Sequence, residues 1–133
     1  GEMRRARRHA LALLLALAVG ELQAAGSWVA TAPMTRVSVA GRDTASAPLR
    51  PVGEGAENRT IHSVAWRYRL PPGSDLTARL CHPDGCVPLT TMQGTTRALA
   101  GLAADVALEF RFSLPQGQAP VTIGDLQVIV NHR

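Results

Sequence analysis

The sequence predicts an all-β protein, a small antiparallel β-sandwich of about seven to eight strands. Segments in which apolar and polar residues alternate recur along the chain, as they do in strands that bury one face. Turn-forming residues are dense, with 12 Gly and 9 Pro among 133 residues. Helical periodicity is nearly absent after the N-terminal segment. These three features together favour short strands joined by tight turns.

Residues 1–24 are predicted to be a cleaved signal peptide, which leaves residues 25–133 as a single domain. Four arginines between positions 4 and 8 precede the apolar run Ala10 to Val19, and small residues follow at Ala24 and Ala25. A charged, then apolar, then small-residue order is typical of secretory signals. The apolar run falls short of the roughly 20 residues that cross a bilayer. We therefore expect no stable membrane span after cleavage, and an anchoring helix is the alternative.

Export of a short domain with no second apolar segment suggests the periplasm. Without the leader, ten Arg stand against eight acidic residues, so the domain is only weakly basic. This balance argues against a nucleic-acid partner. The sequence also lacks a Gly-x-Ser-x-Gly elbow, a His-Glu-x-x-His motif and a phosphate-binding glycine loop. We expect no enzymatic activity, no cofactor and no bound metal.

Among the predicted strands, the alternation of apolar and polar residues is clearest at 62–70 and 106–114. Residues 41–60 show no period and are predicted to be a mobile loop, with a short edge strand around Leu49 to Val52; simple linkage and a binding role are both compatible with it. The segment 96–102 is ambiguous, because a helical turn near Leu99 to Asp105 is also compatible with it. The predicted strands are 27–31, 35–41, 62–70, 76–80, 87–91, 96–102, 106–114 and 126–133.

The segment 62–70 indicates which side of its strand faces solvent. Trp66 and Tyr68 alternate with Arg67 and Arg69, so the aromatic side chains are expected in the core. The arginines then lie outside, and Arg79 of the next strand is expected near them. A solvated strand face and a cationic binding patch are both compatible with this pattern.

The last segment, 126–133, stays strand-like to the final residue of the sequence. Two arrangements fit it. The strand is either paired on both sides within a sheet, or it lies at an edge and offers its backbone groups to a partner.

The two cysteines, Cys81 and Cys86, predict a disulfide across a hairpin. The intervening residues His-Pro-Asp-Gly favour a tight turn, in which Pro83 fixes φ and Gly85 accepts a positive φ. The oxidising periplasm favours a disulfide. Zinc requires four ligands, and this stretch offers three at most. The spacing also differs from the Cys-x-x-Cys of redox dithiols.

Several stretches in a fixed order resemble one family. They are Trp28 shortly after the leader, "VAWRYRL", the "RLC…CV" pair, "GTTR" at 94–97 and the closing "QVIVNHR". The chain is similar in these stretches to the flagellar protein FlhE family of Gram-negative bacteria. The resemblance implies a periplasmic β-sandwich like that of carbohydrate-binding modules, without enzymatic activity. It implies partners among flagellar structural or export proteins, with a chaperone-like guard over rod or filament subunits and a limit on proton leak through the export apparatus.

An alternative hypothesis is that the protein binds peptidoglycan, which requires Trp28, Trp66 or Tyr68 on the surface. If the protein instead binds flagellar proteins, we expect the partner to bind at the arginine face of the strands and at the C-terminus. The candidate partner-binding residues are Arg67, Arg69, Arg79, Asn131, His132 and Arg133.

Overall fold

The computed structural model describes residues 25–133, so the predicted signal peptide lies outside the described residues. The described part of the chain contains nine strands and no helix, and therefore no helix able to cross a membrane. The strands are β1 (Gly26–Ala32), β2 (Thr35–Val37), β3 (Asp43–Ala45), β4 (Ile61–Arg69), β5 (Thr77–His82), β6 (Gly85–Leu89), β7 (Gln93–Thr96), β8 (Glu109–Ser113) and β9 (Val121–His132).

The strands form two antiparallel sheets, which confirms the predicted sandwich. Sheet one has five strands in the order β1–β9–β4–β7, with β2 pairing β9 on the same side as β1. Sheet two has four strands in the order β3–β8–β5–β6. The prediction of seven or eight strands missed β3, which lies inside the segment expected to be a loop.

Strand β9 is the centre of sheet one, because it pairs with β1 and β2 on one side and with β4 on the other. The C-terminal segment is therefore a paired strand and not an edge. Asp125 has a positive φ of 53°, and the register of β4 against β9 shifts beside it. This bulge changes the alternation, so that Ile123 before it and Leu126 after it both face the core.

The core joins the two sheets through aromatic rings. Phe110 and Phe112 of β8 are fully buried and stack at 5.9 Å between centroids. Tyr68 of β4 meets both rings edge-on, at 6.0 and 5.6 Å. Burial raises the pKa of the Tyr68 phenol. Since a buried Phe side chain contributes about 1.5–3 kcal/mol, this cluster is a substantial part of what holds the sheets together.

Two segments differ from their predictions. Residues 97–102 form turns, neither a strand nor a helix, and the strand in this region is β7. The segment 41–60 is anchored in the fold, because it contains β3, and because Leu49 is fully buried and exchanges backbone hydrogen bonds with Leu108 at 2.8 and 3.0 Å. The edge strand expected around Leu49 is thus a single bridge.

Candidate functional site

The β5–β6 hairpin carries the disulfide that the sequence predicted. Cys81 and Cys86 are direct cross-strand partners and are bonded to each other. The turn is tighter than expected, since His82 already pairs with Gly85 and only Pro83 and Asp84 remain between them. The positive φ predicted for Gly85 is wrong, because its φ lies outside the positive range that five other glycines adopt.

His82 fastens this turn to the rest of the domain. The side chain is buried, its Nδ1 accepts a hydrogen bond from the Asp84 amide at 3.0 Å, and its Nε2 lies 2.9 Å from the Ala103 carbonyl oxygen. An amide donor on one nitrogen and a carbonyl acceptor on the other require the neutral ring with its proton on Nε2. Both nitrogens are therefore occupied. No group of three His, Cys, Asp or Glu within residues 25–133 could hold a metal ion.

The structure separates Arg79 from the other two predicted arginines. Arg67 and Arg69 lie on β4 in sheet one and are exposed. Arg79 lies on β5 in sheet two, where it forms an ion pair with Asp43 of β3. The expectation of one patch of three arginines is therefore wrong, because alternation along a strand identifies its outer face but not the sheet to which it belongs.

The three predicted C-terminal residues have three different environments. Asn131 faces outward and its Nδ2 donates to Ser63 Oγ at 3.1 Å. His132 is 5% exposed and covers Gly26, where an added Cβ would lie 2.7 Å from the ring. Arg133 is exposed beside β4. His132 is thus a packing residue at the start of β1, and only its two neighbours are accessible to a partner.

Arg133 belongs to a cationic cluster that the sequence did not reveal. Its Nη2 lies 3.4 Å from His62 Nε2. The pKa of the half-buried His62 is lowered from 6.5, first by the charge of Arg133, then by burial, then by the charge of Arg97. The three residues lie far apart in the sequence, and only the pairing of β4 with β9 and β7 brings them to one end of sheet one.

We call the surface between this cluster and Arg67 the sheet-one face. Its members are the outward side chains of β1, β9, β4 and β7, which register across the sheet in rows. All are small or uncharged except Arg67, and no aromatic ring is among them. They are Ser27, Val29, Thr31, Gln127, Ile129, Asn131, Ala65, Arg67, Gln93 and Thr95, together with Ser63, which is itself buried and accepts the hydrogen bond from Asn131.

The sheet-one face has cations at both ends and an almost neutral middle. Arg67 and Arg69 lie where β4 ends, and the cluster of His62, Arg97 and Arg133 lies where β4 begins. Asp125 lies 3.5 Å from Arg69, but both side chains are well exposed, so this ion pair contributes little. Such a face suits a flat partner surface with acidic groups at its rim.

The aromatic residues required by the peptidoglycan alternative do not form a sugar platform. Trp28 and Tyr68 are buried, and the indole Nε1 of Trp28 donates to the Ala104 carbonyl at 2.8 Å. Trp66 is half-buried, and its ring packs over Gly94 so closely that a Cβ there would lie 2.7 Å from it. The three rings are thus used in packing, which weighs against glycan stacking.

Comparison with known proteins agrees with the resemblance in the sequence. A family model described as "Flagellar protein FlhE" matches residues 35–133. The chain belongs to the FlhE family. A flagellar protein FlhE of Yersinia enterocolitica is 39% identical over 118 residues, covering 83% of each chain. A flagellar protein FlhE of Escherichia coli K12 is 35% identical over 131 residues, covering 95% of this chain and 99% of that protein.

The fold is also that of a solved FlhE structure. A chain titled "Crystal Structure of FLHE" superposes with a TM-score of 0.74 at 30% identity, covering 82% of this chain and 97% of that one. The FlhE name identifies a flagellar protein and carries no enzymatic term.

Proposed function

We propose that this FlhE-family protein is a non-enzymatic accessory protein of the periplasm that binds flagellar rod or filament subunits and prevents their premature assembly there. The observation that carries the proposal is the sheet-one face, with its neutral middle between Arg67 and Arg69 at one end and the His62–Arg97–Arg133 cluster at the other. A chaperone-like guard needs a broad surface that covers a client without reacting with it.

The charge pattern suits reversible binding. Exposed cations contribute little to the free energy of a complex, but they steer association and fix orientation. The uncharged middle row, with Val29, Ile129 and Ala65 in register, supplies apolar contact. A client would therefore be captured quickly and released when its proper assembly partner competes for it.

The periplasmic part of the proposal is supported by the leader-like order of residues 1–24 and by the Cys81–Cys86 disulfide. Disulfides persist in oxidising compartments such as the periplasm and are rare in the cytosol.

The test is complementation of a strain from which the gene has been deleted. We expect the deletion to place flagellar filaments in the periplasm, as seen by electron microscopy of thin sections. The wild-type gene should restore normal flagella, whereas the double variant Arg67→Glu/Arg69→Glu should not.

A matched control is Arg42→Glu/Arg50→Glu, which makes the same charge change at two exposed arginines outside the sheet-one face. This control should restore normal flagella. Full rescue by Arg67→Glu/Arg69→Glu, at equal protein level, would reject the face as the binding surface. Normal flagella in the deletion strain itself would reject the guard function.

Binding at the export apparatus would also restrict proton leak, and we include this role in the proposal. A cytoplasmic pH indicator should report acidification of the deletion strain in acidic medium. The acidification should disappear when the export apparatus is deleted as well. Equal cytoplasmic pH in the deletion and wild-type strains would remove this role from the proposal.

A further inference from the structure

Strand β1 is an open edge of sheet one. In the part of the chain that the structure describes, β1 pairs with β9 on one side and with no strand on the other. It is seven residues long, Gly-Ser-Trp-Val-Ala-Thr-Ala, and contains neither a charged residue nor a proline. Every second residue of an edge strand directs its N–H and C=O away from the sheet. β1 therefore presents a row of unpaired backbone groups.

The other edges in the described chain are shorter or chemically protected. β3 has three residues and begins with Asp43, and β6 contains Pro88, which has no N–H to donate. β7 has four residues, and β2 has three with Arg36 at its centre. Short length, charge and proline are the usual protections against edge pairing. β1 has none of them.

The geometry of an antiparallel pair selects one symmetric register for β1. In an antiparallel pair, two facing residues both direct their N–H and C=O groups toward each other or both direct them away, and consecutive residues of one strand alternate between the two. A two-fold axis must therefore relate one residue to its own copy, and it cannot lie between two consecutive residues. An axis through Val29 pairs all seven residues, with Gly26 facing Ala32. An axis through Trp28 or Ala30 pairs only five of them.

The side chains of β1 fit this register. Ser27 faces Thr31, the large Trp28 faces the small Ala30, and Val29 faces its own copy. Val29 is the exposed apolar residue of the strand, with 45% of its surface accessible. It lies in the row with Ile129 and Ala65, so the apolar row would continue across the axis into the second copy.

We propose that β1 pairs with β1 of a second copy of this chain, antiparallel about a two-fold axis at Val29, joining the two five-stranded sheets into one. A neutral, self-complementary edge fits a neutral strand of the same sequence, and that strand is present wherever the protein is. One strand pair buries less than the interfaces of permanent dimers, so the dimer is weak and depends on concentration.

This inference does not rest on the proposed function. Dimerisation would align two sheet-one faces side by side, but a single face suffices to bind a client. The two ideas therefore fail separately: the strain experiment tests the face, and the following experiment uses only the purified chain.

The test introduces single cysteines into the complete chain and follows dimers on non-reducing gels. With Cys81 and Cys86 already bonded and no free cysteine in the described chain, each new thiol stands alone. Two copies of residue 29 would face each other with Cα atoms about 4.5–5.5 Å apart, which a disulfide spans. Val29→Cys should therefore form a covalent dimer under mild oxidation.

Thr31→Cys and Ser27→Cys are the matched controls. Two copies of residue 31 would be four residues out of register, about 13 Å apart along the strand, so Thr31→Cys alone should stay monomeric, as should Ser27→Cys alone. A mixture of the two should form a covalent heterodimer, because residue 27 faces residue 31 across the axis.

Sedimentation of proteins without added cysteines gives a second readout. The wild type should shift from monomer toward dimer as its concentration rises, and Val29→Lys should lose the shift because like charges would face each other. A mixture of Val29→Lys and Val29→Glu should regain it. Absence of the wild-type shift, or equal crosslinking of Val29→Cys and Thr31→Cys, would overturn the proposal. If the β1 amides were protected from hydrogen exchange while the protein stayed monomeric, something other than a second copy would cover this edge, and the proposal would also be overturned.

Discussion

At the scale of single residues, three histidines of the described chain have three different roles. His82 is buried and holds a turn through both ring nitrogens, and His132 is buried over Gly26. His62 is half-buried among cations. The sequence offered no distinction among them, because each is a single His in or beside a strand-like segment. The environment of each ring is set by long-range pairing.

Replacement of His82 by Ala should destabilise the domain. The Ala103 carbonyl and the Asp84 amide would lose their hydrogen-bond partner in a buried site, at a cost of about 1–3 kcal/mol for each group left unsatisfied. Urea unfolding followed by tryptophan fluorescence measures the change. His62→Ala, on the surface, is the control and should leave the midpoint unchanged. A His82→Ala midpoint equal to that of the wild type would show that water replaces both bonds.

The pKa of His62 should lie below 6.5 in the folded protein, as measured by NMR titration of its ring protons. Arg133→Gln should raise it toward 6.5 more than Arg97→Gln does, since Arg133 is the larger cause of the shift. A lowered folded pKa means that the unfolded chain binds the proton more readily. Protonation of His62 therefore costs the fold stability: the penalty is absent above pH 6.5 and develops as the pH falls through the folded pKa. An order reversed between the two variants would contradict the geometry of the cluster.

At the scale of elements, regular alternation predicted the strands well. β4 follows the alternating segment 62–70 closely, and the shorter β8 lies within the alternating segment 106–114, because a strand with one buried face must alternate. β3 and β7 are short and made of small or polar residues, so their pairing partners determine them and the local pattern does not. The bulge at Asp125 was also missed, since a single positive φ leaves no periodic signal.

The disulfide between β5 and β6 was predicted from two observations together: the oxidising compartment expected for the protein and the turn-forming residues between the two cysteines. Cys81→Ala/Cys86→Ala should lower the free energy of unfolding by about 2 kcal/mol, since the bond closes a short loop. Chemical denaturation of the oxidised wild type and the double variant measures the difference. Both proteins should retain the same far-ultraviolet circular dichroism, because His82 still fastens the turn. A variant that fails to fold at all would show that the disulfide does more than constrain the unfolded chain.

At the scale of the whole molecule, the candidate site is a property of a sheet and not of any sequence motif. Arg67 and Arg69 were predicted from alternation on one strand, and this assignment to an outer face agrees with the structure. Arg79 was misplaced because it lies on the other sheet, and His62 and Arg97 were missed because three strands must pair to bring them near Arg133. Facing direction is encoded locally, whereas membership of a surface depends on topology.

The two sheets share one core, so residues 25–133 should fold as a single cooperative unit without the predicted leader. Tyr68 of sheet one packs against Phe110 and Phe112 of sheet two, and neither sheet can keep its inner face buried alone. Tryptophan fluorescence reports on sheet one, which holds Trp28 and Trp66, and hydrogen exchange at β5 and β8 reports on sheet two. Both probes should give the same unfolding free energy for the isolated domain at a fixed low protein concentration, as two-state unfolding requires. Loss of one sheet before the other would show that the aromatic contacts between them are weaker than the hydrogen-bonded pairing within each sheet.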